Sequence, residues 1–170
     1  MKILVLSDSH SRMLDIDFNK YDYVFHCGDF GSSKSDLMRN NNTYYVCGNC
    51  DFGNNKEVFI NINNKNIFMT HGDLYHVKSH MNSLIYKAIE LKSNICLFGH
   101  THELTLFERD NILFINPGAY IDGYYAIIDD NKISFYRYNN LIKEYNYKWW
   151  FFWLRFHYLR YYNLIFLIHQ

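Results

Sequence analysis

The sequence predicts an α/β domain built on mixed parallel and antiparallel sheet, and three observations carry that expectation. Short apolar, β-branched and aromatic runs recur along the chain, each ending in a cluster of Gly, Asn, Asp or His. Two intervening stretches have the spacing of amphipathic helices. Two further pairs of runs are joined by turn residues close enough to make hairpins. Crossovers mixed with hairpins favour a mixed sheet in a layered domain.

Taken in order, Lys2–Leu6 ends at Ser7-Asp8-Ser9-His10 and Tyr23–Cys27 ends at Gly28-Asp29. Thr43–Cys47 ends at Gly48-Asn49-Cys50-Asp51, and Asn66–Thr70 at His71-Gly72-Asp73. Ile95–Phe98 ends at Gly99-His100-Thr101-His102, and Ile112–Ile115 at Asn116-Pro117-Gly118-Ala119. Continuous apolar runs this short, bounded by turn residues, read as strands buried on both faces. Ser33–Asn41 reads as a short helix with Ser35 at its N-cap. Ser79–Leu91 reads as a longer one, with Met81, Leu84, Ile85, Ala88, Ile89 and Leu91 on one stripe. Phe59–Ile62 and Ile67–Met69 flank a turn at residues 63–66, and Tyr124–Asp129 and Lys132–Tyr138 flank another at Asp130-Asn131. The Asn-rich patches read as compositional bias on loops.

Composition narrows the function. The 170 residues are 49% hydrophobic and 20% charged, with one Pro and eight Gly, which is globular rather than disordered or collagen-like. Seventeen basic and seventeen acidic side chains cancel, so no stable nucleic-acid partner is expected. The first apolar run is too short for a signal peptide and reaches polar residues at once. A cytoplasmic location follows as the expectation, with Cys27, Cys47, Cys50 and Cys96 as reduced thiols. Cys47-Gly48-Asn49-Cys50 matches C-x-x-C but lacks the second ligand pair of a structural zinc site.

The domain is expected over residues 1–142, with an aromatic tail over 143–170. In a helical reading of the tail, Trp149, Trp153, Phe156, Arg160 and Asn163 share one stripe. Trp150, Leu154, His157 and Tyr161 share the next. Packing on its own domain, a homo-oligomer interface and attachment to a membrane surface all remain open for it.

The polar clusters share one property: each follows the carboxyl end of an expected strand, where open α/β sheets bind their ligands. Asp8, His10, Asp29, Asn49, His71, His100 and His102 would gather there, a donor set suited to two borderline divalent ions such as Mn, Fe, Zn or Co. Asp8 and His10, like His100 and His102, are two apart, so each pair projects from one face of extended chain. Gly28, Gly48 and Gly99 precede ligand-type residues where backbone must come close to the ions.

Asp8-x-His10, Gly28-Asp29, Gly48-Asn49-Cys50-Asp51, His71-Gly72 and Gly99-His100-Thr101-His102 resemble the motifs of the calcineurin-like metallophosphoesterase superfamily. The likeness is to its small YfcE-type phosphodiesterase branch and covers roughly residues 1–138. It implies a four-layer α/β/β/α sandwich and a small phosphoester substrate. It also implies two divalent ions, manganese first, with nickel, iron, zinc or cobalt as alternatives. Asp8, His10 and His102 would hold one ion, and Asn49, His71 and His100 the other, with Asp29 bridging. A hydroxide held between the ions would attack phosphorus in line.

Some positions depart from the family. Cys50 stands where many members have a His that protonates the leaving group, and a thiol is a poorer acid near neutral pH. Asp51 beside it could share that role or cap or orient a ligand. Asp73 replaces a second His after Gly72, with His76 three residues on, and either could support a ligand from behind. Asn116-Pro117-Gly118 reads as a structural turn beside the site, and Ser7 and Ser9 as loop residues rather than nucleophiles. The alternative to an enzyme is a phosphoesterase-like protein-interaction scaffold, as in the retromer's phosphoesterase-like subunit. A repair nuclease of the same superfamily would need capping regions and positive charge that this chain lacks.

Overall fold

The computed structural model describes residues 1–147. In chain order they form β1 (Ile3–Leu6), β2 (Tyr23–His26), α1 (Lys34–Met38), β3 (Thr43–Tyr45), β4 (Glu57–Ile62) and β5 (Lys65–Thr70). Then come α2 (Asn82–Glu90), β6 (Ile95–Leu97), β7 (Thr105–Arg109), β8 (Ile112–Asn116), β9 (Tyr124–Asp129), β10 (Lys132–Arg137) and β11 (Asn140–Asn146). One sheet has the order β11-β10-β9-β1-β2-β3 and the other β4-β5-β6-β8-β7. In the first sheet the parallel run β1-β2-β3 reaches one edge and β9, β10 and β11 are antiparallel on its other side, whereas in the second the parallel run β5-β6-β8 is central, with an antiparallel strand at each edge. Two mixed sheets in an α/β domain are what the sequence predicts.

The apolar runs are continuous because each central strand serves two cores. Ile3 and Val5 of β1 face the other sheet, joined by Phe25, Ala126, Phe135, Met69, Leu97 and Ile115. Leu4 and Leu6, one step out of phase, face outward onto Val24, Tyr120 and Tyr125. On the far side of the second sheet, Leu84, Ile85 and Ala88 of α2 cover Phe68, Cys96 and Phe114. On the far side of the first, the outer layer is thin. It consists of α1, whose Leu37 packs on Phe30 and Cys47, and of the half-buried Leu14, Ile16 and Phe18. Among the described residues, no helix is long and apolar enough to cross a membrane.

Several local expectations need correction. Ser35 lies inside α1 rather than capping it, and Ser33, which precedes the helix, spends its hydroxyl on the Arg12 carbonyl at 3.0 Å. The strand expected over Thr43–Cys47 is three half-buried residues long, because Val46 and Cys47 already turn into the loop of the candidate site. β7 and β11 were not expected at all. Their turns carry the signal: Asp110-Asn111 and Tyr138-Asn139 both have positive φ, as do Asn63-Asn64 between β4 and β5. Two consecutive left-handed residues are what a tight hairpin turn requires, so Asn here is turn chemistry rather than compositional bias. β11 also runs across the expected boundary at 142/143, and Tyr147 after it is buried with its hydroxyl on the Asp129 carbonyl at 2.9 Å. The helical stripes expected from Trp149 onward lie outside the described residues.

One buried group ties β2 to the loop after β1. The Gly28 amide donates to His26 Nδ1 at 3.3 Å, so the proton sits on Nε2, which meets Ser9 Oγ at 3.0 Å. Burial, reinforced by the charge of His71, pushes the His26 pKa down from 6.5 to about 3. The unfolded chain therefore takes up a proton below pH 6.5 that the folded protein refuses, and stability falls as pH drops through that window. Acidifying from pH 7 to pH 5 should cost about 2 kcal/mol through this residue. Urea unfolding at both pH values is expected to show a loss smaller by about that amount in His26→Gln.

Candidate metal centre

All seven ligand-type residues sit just beyond the carboxyl ends of parallel strands. Asp8 and His10 follow β1, Asp29 follows β2 and Asn49 follows β3. His71 follows β5, and His100 and His102 follow β6. The centre therefore straddles the seam between the sheets. Five of the seven, Asp8, His10, Asp29, His100 and His102, have φ between 49° and 68°, a region costly to side chains without local compensation. Hydrogen bonds hold them there. Asp8 N donates to Gly28 O at 2.9 Å, His10 N to Asp29 O at 2.8 Å, and His100 N to Asp8 Oδ2 at 3.1 Å.

The side chains converge on two loci. At the first, His10 Nε2 and His102 Nε2 are 3.3 Å apart, and His102 Nε2 is 3.2 Å from Asp8 Oδ1. At the second, His71 Nε2 lies 3.2 Å from Asn49 Oδ1, 3.1 Å from His100 Nδ1 and 3.4 Å from Asp29 Oδ2. Asp29 also joins a group with Asp8 and His71 and another with His10 and Cys50, so it stands between the loci. Each locus draws on both sheets.

These contacts suit a cation. Asp8 Oδ1 is buried and makes no hydrogen bond, an expensive state for a carboxylate oxygen unless positive charge faces it. Bonds of about 2.1 Å to a shared ion put ligand atoms about 3.0–3.4 Å apart in octahedral or tetrahedral geometry. The observed separations fall in that range. His71 donates Nδ1–H to the Cys27 carbonyl at 2.8 Å, which leaves Nε2 free to ligate.

Electrostatics follow the same logic. Burial alone would raise the Asp29 carboxyl, but the hydrogen bond and charge of His71, with the Cys50 amide, hold it well below the usual carboxylate range. Burial lowers His71, yet its bond to Asp29 and the charge of Asp8 leave it above the ordinary imidazole value. Burial and the neighbouring His71 push His100 down. Cys50 is exposed, and desolvation with the Asp29 carboxylate raises its thiol, so it is protonated at neutral pH. Asn49 Nδ2 donates to its sulfur at 3.3 Å, which turns Oδ1 toward His71.

Residues that the sequence marks only as turn or loop, and one that it does not mark, support the ligands. Asn116 Nδ2 donates to the Gly99 carbonyl at 2.9 Å and to Thr101 Oγ1 at 3.0 Å, while its Oδ1 accepts from Gly118 N, so it braces the loop carrying His100. The Asn-Pro-Gly turn is structural, as expected, and its Asn was the legible signal. Ser7 donates to Asp8 Oδ2 at 2.5 Å, and Lys56 Nζ caps the Gly48 carbonyl at 2.7 Å. Nothing in the sequence marks Lys56. Asp73 and His76 lie in the turn after His71 and belong to none of the ligand groups.

Residues 1–127 match the sequence profile described as a calcineurin-like phosphoesterase superfamily domain, and the chain belongs to that superfamily. It is 33% identical over 165 residues to the phosphodiesterase MJ0936 of Methanocaldococcus jannaschii, an alignment covering 78% of this chain and 95% of that one. Among solved structures, it resembles a predicted phosphoesterase of Streptococcus pneumoniae at 32% identity and a TM-score of 0.73, covering 85% of this chain and 97% of that one. It shares its fold with zinc-complexed Vps29 of Entamoeba histolytica at 20% identity and a TM-score of 0.72, covering 87% and 100%.

Close approach of backbone to ligands leaves no room at two glycines. A Cβ on Gly99 would sit 1.8 Å from Ser7 Oγ and 2.8 Å from Asp8 Oδ2, and one on Gly48 would sit 2.1 Å from Asp29 Oδ1. Gly99→Ala should lower unfolding free energy by about 1–3 kcal/mol. Adding Ser7→Ala should recover part of that loss, as read from urea midpoints at constant slope.

Proposed function

We propose that the protein is a metal-dependent phosphoesterase, most specifically a phosphodiesterase working with two divalent ions, of which Mn²⁺ is the first candidate. The observation that carries the reading is the convergence of seven lone-pair-bearing side chains on two loci, one of them holding a buried carboxylate oxygen with no hydrogen bond. Asp8, His10 and His102 would hold one ion, and Asn49, His71 and His100 the other, with Asp29 shared. Bound there, the ions would supply a bridging hydroxide at neutral pH and offset charge on the phosphoryl oxygens. The protein's own residues do the rest. His71 is fixed through Cys27, Asn49 presents its oxygen because its amide nitrogen is engaged, and Asp29 stays ionised. No protein nucleophile is needed.

The first test is metal analysis coupled to hydrolysis of bis(p-nitrophenyl) phosphate across several divalent ions. Asp29→Asn and Asn49→Ala are each expected to cut kcat by at least about 100-fold with the fold intact. Full activity in either variant, or after chelation, overturns the reading. Bound ions with no turnover on any phosphoester would favour a protein-interaction scaffold, a reading supported by the exposed thiol at the usual acid position.

That thiol sets a second expectation. A protonated but weak acid limits substrates whose leaving group needs a proton. Cys50→His should therefore raise turnover of alkyl phosphoesters more than that of nitrophenyl esters. An equal response would remove leaving-group protonation from the account of Cys50. Of the tail expected over 143–170, residues 143–147 belong to the domain through β11 and Tyr147, and the residues beyond 147 are proposed as a packing or assembly segment, with homo-oligomers as one outcome.

A further inference from the structure

The turn that carries Asp29 has a backbone built to hold an anion. Asp29 and Gly31 are left-handed, with φ of 54° and 50°, and Phe30 between them is right-handed, with φ −84° and ψ −18°. Alternation of this kind turns successive N–H groups toward one point and makes a concavity for negative charge. Asp51 fills it from another loop. Its Oδ2 accepts from Asp29 N at 2.7 Å and Phe30 N at 3.3 Å, and its Oδ1 from Gly31 N at 3.2 Å. A fourth bond, from Gly48 N at 2.9 Å, comes from the loop that bears Asn49. The exchange is reciprocal, because the Cys50 amide donates to Asp29 Oδ1 at 2.9 Å. Each loop thus supplies main-chain donors to the other's carboxylate.

We infer that Asp51 is a positioning residue: it is the resident anion of this concavity and fixes the left-handed backbone that aims the Asp29 carboxylate between the two loci. Both its oxygens are spent on main-chain amides, and it belongs to none of the ligand groups, so it neither ligates nor transfers a proton. The bonds to Gly48 and from Cys50 also set the spacing between Asp29 and Asn49, and thereby couple the bridging ligand to the second locus. Removing the carboxylate would leave four amides converging on an empty space of one carboxylate's size, free to take up a small anion.

The inference rests on the metal centre proposed above, and the experiment separates the two. Mn²⁺ is titrated calorimetrically into the full chain and into Asp51→Ala and Asp51→Asn, with and without sodium formate, sodium chloride being the ionic-strength control. Asp51→Ala is expected to weaken Mn²⁺ binding by about 10–100-fold and to recover saturably with formate, which leaves the wild-type protein unchanged. Asp51→Asn keeps the volume but turns an amide against the same donors, so it should be weak and deaf to formate. Wild-type affinity in Asp51→Ala overturns the positioning role alone, as does a loss of affinity that tracks the urea midpoint and ignores formate. A wild-type protein that binds no Mn²⁺, and none of Ni²⁺, Fe²⁺, Zn²⁺ and Co²⁺ in parallel titrations, overturns the metal centre and this role with it.

Discussion

Seven side chains with lone pairs converge on two loci with Asp29 between them, and the rest of the fold is arranged to keep them there. Without positive charge, Asp8 and Asp29 would repel each other, and the facing imidazoles would compete for protons. The protein resists this dispersal with main-chain hydrogen bonds. The loops after β1 and β2 are pinned to each other by Asp8 N and His10 N, and the loop after β6 is pinned to the loop after β1 through Asp8 Oδ2. Preorganisation of this sort is what separates a binding site from a collection of polar residues.

Local strain is distributed accordingly. Left-handed backbone at five ligand positions would be unfavourable in an isolated peptide. It persists because the neighbouring elements leave little choice: Gly48 and Gly99 admit ligand oxygens where any side chain would collide. Asn116 and Lys56 hold the carbonyls of those same glycines. The glycines and their polar partners are two halves of one arrangement.

Much of this was legible in the sequence, for identifiable reasons. β1, β6 and β8 face a core on each side, so their apolar runs are unbroken and end at a turn. The seven ligand-type residues could be picked out because each stands just past the end of an apolar run, those of β1 and β6 and those of β2, β3 and β5. β7 and β11 escaped because they lie at sheet edges, where Leu106 and Phe107 are only half-buried and Leu141, Ile142 and Tyr145 are exposed. Period and burial carry little signal there, and only the turn pairs Asp110-Asn111 and Tyr138-Asn139 announce the hairpins. Asp51 was visible as a neighbour of the motif, but its four donors come from backbone, which composition does not encode.

The division of each locus between two sheets has a thermodynamic consequence. Asp8 and His10 come from one sheet and His102 from the other, and the same split separates Asn49 and Asp29 from His71 and His100. A cation able to engage such a set is a ligand of the docked sheets only, since neither sheet alone presents a complete set. Its binding free energy then adds to the cohesion of the seam in proportion to the logarithm of its free concentration. A chain of this design would be degraded faster when ions are scarce, so that its abundance in a cell would follow the supply of metal without any dedicated sensor.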